Sequence, residues 1–83
     1  MKVNLHPHAQ ARLIERGVTE AEVRLTVREG ETFPAKFGRA GFRKNFAFGK
    51  ARLDKVYSVK QLEVYAVKEE AAWLVITVIT RFF

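Results

Sequence analysis

Three side chains suited to phosphate chemistry recur every four residues near the start of the sequence. They are His8, Arg12 and Arg16, and residues four apart lie on the same face of a helix. Guanidinium groups bind phosphate through paired hydrogen bonds, and histidine side chains exchange protons near neutral pH. The spacing therefore predicts a cationic stripe that contacts phosphate and holds one candidate acid–base group.

Other groups suited to RNA are scattered along the rest of the chain. Lysine and arginine would contact phosphates, and tyrosine rings would stack on bases. The ordinary role of a surface cation is a solvated position or a weak ion pair, so this set permits RNA binding without specifying it. The candidates are Arg39, Lys44, Lys60, Arg81, Tyr57 and Tyr65.

Metal-independent RNA cleavage needs a base for the 2′-hydroxyl, an acid for the leaving oxygen and fixed cations around the phosphate. No histidine late in the sequence complements His8. Tyr57, Lys60 or an arginine would therefore have to act as the second acid–base group.

Other kinds of catalytic site lack their signatures. His6 and His8 are two residues apart and would point about 200° apart on a helix, and the chain has no cysteine, so we expect neither a metal site nor a cofactor. The alternative is that His6 caps or flanks the helix and His8 lies on its polar surface. No Ser-His-Asp arrangement, P-loop or glycine-rich dinucleotide turn is present.

Length and composition predict one domain over residues 1–83. The net charge is +6, which favours contact with phosphates but is a weak indication alone. The first residues form no apolar leader, and no run approaches the roughly 18 residues that span a bilayer. We expect a cytoplasmic protein without a membrane segment.

Two helices are predicted in the first third of the chain. Pro7 suits a first helical turn and Gly17 suits the position after a helix end, so the first helix should cover about residues 7–16. Thr19 and Glu22 have the spacing of a capping box, which predicts a second helix over about residues 20–29. Its early acidic residues argue against a DNA recognition helix.

Strands are expected in the remainder, where the hydrophobic period becomes two. The segment Ala72–Phe83 is apolar on both alternating sets, so we place it in the sheet interior; Met1–Leu5 is either a short edge strand or an extended arm. The fold class predicted is α+β, with two N-terminal helices on one face of a curved, mainly antiparallel sheet of three to four strands. The strands are expected at about residues 32–37, 42–48, 56–68 and 72–82.

The same residues carry a family resemblance that covers nearly the whole chain. The spacing of His8, Arg12 and the run Arg16–Thr19, followed by Glu22-Val23, Gly30-Glu31 and a closing Val75–Val78, is similar to that of a small prokaryotic family called domain of unknown function 4258. This family is grouped with the barnase/RelE-like ribonuclease and toxin fold.

The resemblance implies a small toxin-type endoribonuclease that needs no metal and is held by a cognate antitoxin. It places His8, Arg12 and Arg16 on a functional surface, with Arg81 or Thr80 contributing from the last strand. We take Arg81 as the fourth catalytic residue.

Two alternatives remain open. One is a noncatalytic RNA-binding module, for which we expect a broad basic surface and salt-sensitive binding. The other is a protein-interaction domain or homodimer with an exposed aromatic patch. The residues that would form the patch are Phe82, Phe83 or the set Phe42, Phe46 and Phe48.

Overall fold

Seven secondary-structure elements make up the computed structural model, which describes residues 2–83. Met1, part of the predicted strand or arm, lies outside the described residues. The five strands form one sheet in the order β1-β5-β4-β3-β2, antiparallel except where β1 pairs with β5. The elements are β1 (Lys2–Leu5), α1 (Pro7–Arg12), α2 (Glu20–Glu29), β2 (Glu31–Pro34), β3 (Ala40–Arg52), β4 (Lys55–Glu69) and β5 (Ala72–Phe82).

The predicted fold class is wrong. Strands account for 57% of the chain and the sheet has five strands, with only two short helices. The additional strand is β1, whose parallel partner β5 lies at the other end of the chain. Its four residues alternate too briefly to distinguish a strand from an arm, because the pairing depends on a distant segment.

The β3–β4 hairpin is longer than the sequence predicts. Gly49 has a positive φ of 58° beside a shift in the β3–β4 register, which is typical of a β-bulge. The strand continues past this irregularity and past the expected end at Phe48. Residues 49–55, which separate two of the expected strands, are instead mostly strand. A two-residue turn at Leu53-Asp54, with φ of 53° and 67°, connects β3 to β4.

Helix α2 occupies residues Glu20–Glu29, the range that the capping box indicates. The backbone amide of Glu22 donates to the Thr19 hydroxyl at 3.2 Å, and the Thr19 amide donates to the Glu22 carboxylate at 2.9 Å. Both amides would otherwise lack a partner at the helix start. Val23 and Val27 then project from the buried face of α2 onto the sheet.

Helix α1 ends at Arg12, earlier than the expected Arg16. The Leu13 amide bonds to Gln10 three residues back, and the chain then turns through Gly17, whose φ is 67°. This turn allows both Leu13 and Val18 to enter the core. Within residues 2–83, neither helix has the length and apolar character needed to cross a membrane.

The core lies on one face of the sheet, under both helices. Leu62, Val64 and Ala66 alternate along β4 and are fully buried on this face. The side chains between these three point to the opposite face, which we call the open face. Strand β5 pairs with both β1 and β4 as far as Val75, whereas within residues 2–83 its later residues pair only with β4. Only its first part is therefore interior.

Candidate functional site

The three predicted stripe residues lie together beside the free edge of β5. They line a pocket of about 100 Å³, which we call the stripe pocket. The pocket is narrow because α1 packs closely on β5 through Ala9, which is 2% exposed. Its lining residues are His8, Ala9, Arg12, Arg16, Ile76, Thr77 and Val78.

The stripe continues past the end of α1. The backbone amide of Arg16 donates to the carbonyl of Arg12 at 3.2 Å, which retains one helical turn between these residues. On the facing strand, the register shifts between Tyr65 and Ala66, whose partners are Thr77 and Val75. The shift leaves Ile76 as an extra residue in β5, and this bulge lies at the pocket.

Side chains from the sheet fix the turn that carries Arg16. The Thr80 hydroxyl donates to the Arg16 carbonyl at 2.9 Å. The Lys60 ammonium donates to the Gly17 carbonyl at 2.9 Å, and the Arg52 guanidinium donates to a nearby backbone carbonyl in the same turn at 3.2 Å. The position of the third stripe residue is therefore set by contacts to three strands.

The stripe pocket is cationic, and ion pairs neutralise little of its positive charge. Arg12 forms an ion pair with Glu15 at 2.8 Å, but the two side chains are 44% and 61% exposed, so this pair is screened by water and contributes little. His8 and Arg16 form no ion pair within residues 2–83. Within the described residues, an anion that entered the pocket would compete only with the exposed carboxylate of Glu15.

Arg81 does not line the stripe pocket. It lies on the open face, where its guanidinium contacts the Glu63 carboxylate at 2.7 Å. The hydrogen bond from Arg81 is the main reason that the pKa of Glu63 is lowered, although burial of the carboxylate opposes it. The same contact raises the pKa of Arg81. The structure therefore brings together three of the four predicted catalytic residues.

Three predicted RNA-binding residues make contacts within the protein. The Lys60 ammonium bonds to Glu22 at 2.8 Å, and its side chain is only 8% exposed. Lys44 lies 3.7 Å from the carboxylate of Glu29. The Tyr57 ring packs against Phe82 at a centroid distance of 5.7 Å. None of the three lines the stripe pocket.

Arg39 lines a second and larger pocket on the open face, with a volume of about 650 Å³. We call it the aromatic pocket. Thr77 lines both pockets, so the two are adjacent across β5. The lining residues are Phe33, Pro34, Ala35, Lys36, Phe37, Arg39, Tyr65 and Thr77.

Two aromatic walls of this pocket are held by contacts within the protein. The rings of Phe33 and Tyr65 meet edge to face at 5.8 Å, and the Tyr65 hydroxyl donates to Glu63 at 3.1 Å. The Arg43 guanidinium lies 4.5 Å from the centre of the Phe33 ring. Burial raises the pKa of Tyr65, and the hydrogen bond to Glu63 raises it further. Tyr65 therefore presents a neutral ring with a fixed orientation.

Most residues of the aromatic pocket could not be predicted from the sequence. Phe33, Lys36, Phe37 and Thr77 are not among the predicted site residues, whereas Arg39 and Tyr65 are. The available signal was the alternation of aromatic and cationic residues in F-P-A-K-F-G-R before the β3 strand. Interpreted as a strand and a turn, it gave no indication that the segment encloses a pocket.

The aromatic residues predicted for a partner surface are mostly covered. Phe42 is 4% exposed and Phe46 packs against the core. The rings of Phe48 and Phe82 contact each other at 5.0 Å. Phe83 is 60% exposed, so it is the member of the predicted set that a partner could reach.

The family model for a domain of unknown function, DUF4258, matches residues 5–80. The chain belongs to this family. The match confirms the family resemblance seen in the sequence and spans both pockets of the DUF4258 chain. Neither a curated protein nor a solved structure matches it, so the relation to the barnase/RelE-like fold rests on the resemblance alone.

The two histidines of the DUF4258 chain lie at the start of α1. Residues 2–83 contain no group of three or more His, Asp or Glu side chains placed to hold a metal ion. His6 instead caps α1, since its Nδ1 accepts a hydrogen bond from the His8 amide at 3.1 Å. His6 thus has the capping role that the sequence offered as an alternative to metal binding.

Proposed function

We propose that this chain binds RNA and that the stripe pocket takes a backbone phosphate. The observation that carries the proposal is the convergence of His8, Arg12 and Arg16 on one pocket of about 100 Å³. Sites that enclose a whole small molecule usually measure roughly 300–1,000 Å³. This pocket therefore suits a single phosphate group that belongs to a larger ligand.

The charge of the chain supports a polyanionic ligand. The net charge of +6 attracts a phosphate backbone over long range, and each cation that replaces a counterion on the strand adds to affinity. The pocket also lies at the free edge of β5, where a long strand can pass without entering a closed cavity. An extended nucleic acid fits this setting better than a compact metabolite.

The test is binding of a fluorescein-labelled single-stranded RNA, followed by anisotropy at several salt concentrations. We expect Arg16→Gln to weaken binding and to reduce the slope of log K against log salt by about 0.7, the value for one lost phosphate contact on a single strand. Arg28→Gln is the matched control, because Arg28 is exposed on α2 and lines neither pocket. Equal effects of both substitutions would reject the stripe pocket as the phosphate site.

Metal-independent RNA cleavage is the second candidate function, favoured by the presence of His8 beside two arginines. His8 would take the 2′-hydroxyl proton while the 2′-oxygen attacks phosphorus and the bond to the 5′-oxygen breaks, which leaves a 2′,3′-cyclic phosphate and a 5′-hydroxyl. The pocket holds no second side chain that exchanges protons near neutral pH, so water would protonate the leaving oxygen. Binding is therefore the primary proposal.

Cleavage is tested by incubating the protein with a mixed RNA pool in EDTA, beside His8→Ala checked for folding by circular dichroism. Cleavage by the wild type that the folded variant lacks would support the catalytic proposal. Intact RNA from mildly acidic to mildly basic pH would leave binding without catalysis.

A toxin role with a cognate antitoxin is a narrower prediction that comes from the barnase/RelE resemblance. If it holds, expression in a bacterial host arrests growth and the double substitution Arg12→Gln/Arg16→Gln restores it. Unimpaired growth at the same level of folded wild-type protein would contradict it.

A further inference from the structure

The aromatic pocket contains an exposed phenylalanine in an unfavourable backbone conformation. Phe37 is 86% exposed and has a φ of 61°. With Gly38, whose φ is 71°, it forms the centre of a turn closed by a hydrogen bond from the Arg39 amide to the Lys36 carbonyl at 3.3 Å. Asparagine or glycine suits such a position, whereas a bulky side chain is strained there. Neither turn geometry nor burial accounts for phenylalanine at this position.

Strain alone does not mark a binding site. Leu53 is also exposed, at 88%, with a φ of 53° in the β3–β4 turn. Leu53 lies at the other end of β3 and lines neither pocket, however, whereas Phe37 stands over a pocket with two further aromatic walls and two cations. Leu53 is therefore a matched position for comparison.

The cations of the aromatic pocket are available to an anion. Lys36 and Arg39 line the pocket, and within residues 2–83 neither forms an ion pair. The other walls are the rings of Phe33, Phe37 and Tyr65. A planar aromatic group that carries a negative charge matches both sets of groups, through stacking on the rings and charge-assisted hydrogen bonds to the cations.

We infer that the aromatic pocket binds one nucleotide unit, with its base against Phe37 and Tyr65 and its phosphate on Lys36 and Arg39. The volume of about 650 Å³ lies within the range of small-molecule sites. Because Thr77 belongs to both pockets, a strand bound here continues across β5 into the stripe pocket. This inference rests on the proposed RNA binding and specifies its ligand class as single-stranded RNA with an unstacked base.

The experiment compares a single-stranded oligoadenylate of eight nucleotides with an oligomer of the same length and charge whose central nucleotides lack bases. We expect the wild type to bind the base-bearing strand roughly five- to a hundredfold more tightly, the range expected from stacking of one base. Phe37→Asn should lose most of this preference and remain folded, because asparagine suits the left-handed backbone. Leu53→Asn makes a comparable change in the distant turn and should keep the preference.

The outcomes separate the two proposals. Equal binding of the two strands by the wild type would overturn the base pocket while leaving phosphate binding intact, and so would an unchanged preference in folded Phe37→Asn. If neither strand binds, the RNA-binding proposal is rejected. Titration with adenosine monophosphate then tests whether the aromatic pocket binds a free nucleotide. Saturable changes in the Tyr65 ring resonances would then support a site for free nucleotides, and their absence would overturn it.

Discussion

The ammonium group of Lys60 lies 2.8 Å from the carboxylate of Glu22. This ion pair joins the middle strand of the sheet to the first turn of α2. The same ammonium bonds to the Gly17 carbonyl. One mostly buried cation therefore fixes both the start of α2 and the turn that positions Arg16. Lys60 does not line the stripe pocket but holds in place the turn that carries Arg16.

We expect Lys60→Met to lower the free energy of unfolding by about 2–4 kcal/mol, because it leaves the partly buried Glu22 carboxylate without its partner. Urea denaturation followed by Trp73 fluorescence measures the loss, since the Trp73 ring packs on Phe42 in the core. Lys50→Met is the control on an exposed position of β3 and should change stability by less than about 0.5 kcal/mol. Similar losses in both variants would contradict a specific role for the Lys60 pair.

The same pair predicts a dependence of stability on acid. Burial raises the pKa of Glu22, but hydrogen bonds from Lys60 and the Thr19 amide outweigh it and hold the pKa below its ordinary value of 4.5. Because the pKa of Glu22 is lower in the folded than in the unfolded protein, its carboxylate stabilises the fold above pH 4.5. This stabilisation is lost as the pH falls through the pKa of the folded state. We expect Glu22→Gln to flatten the decline in unfolding free energy below about pH 5. A decline as steep as that of the wild type would argue against it.

Ionisation of Tyr65 reports on the open face. The chain has two tyrosines, so Tyr57→Phe leaves Tyr65 as the only one to titrate. Burial raises the pKa of Tyr65 above 10.0, and Glu63 adds to this through its hydrogen bond and charge. We expect Glu63→Gln in this background to lower the Tyr65 pKa, because the nearby negative charge is removed while Arg43 and Arg81 remain. Ultraviolet absorbance against pH measures it, and an unchanged midpoint would show that burial alone sets the value.

Gly41 determines the position of one wall of the aromatic pocket. A Cβ atom at this position would clash with the Phe33 ring, so Gly41→Ala must displace the ring from its contact with Tyr65. We expect a loss of about 1–3 kcal/mol in unfolding free energy and a shift of the Tyr65 ring resonances.

Gly38→Ala is the comparison for Gly41→Ala. A Cβ atom at Gly38 meets no atom within 4 Å, but its φ of 71° strains any other residue, which costs roughly 1 kcal/mol. The Tyr65 resonances should stay in place in this variant. A shift of equal size in both variants would mean that the ring position depends on the turn and not on space above Gly41.

Features encoded over a few residues could be predicted from the sequence. The Thr19–Glu22 spacing contains the complete start signal of α2, and the four-residue spacing places His8, Arg12 and Arg16 on one side of the backbone even after α1 has ended. Both depend on local geometry, which the order of residues determines directly.

Features that depend on strand pairing could not be predicted. The partner of β1 lies about 70 residues away along the chain, so its four residues carry no sign of it. Arg81 and Lys60 are both cations on long strands, and pairing alone determines which faces the open surface and which enters the core beside Glu22. Charge in the sequence identifies a cation but not its partner.

The stripe pocket combines residues 8–16 with residues 76–78, and this separation sets the time at which it forms during synthesis. Its helical side leaves the ribosome first, because chains emerge from their N-terminus. The opposing wall does not exist until β5 has been made. A nascent chain therefore passes through the RNA-rich surroundings of the ribosome with half of the pocket missing, and acquires the complete pocket only when β5 has emerged and paired with β4.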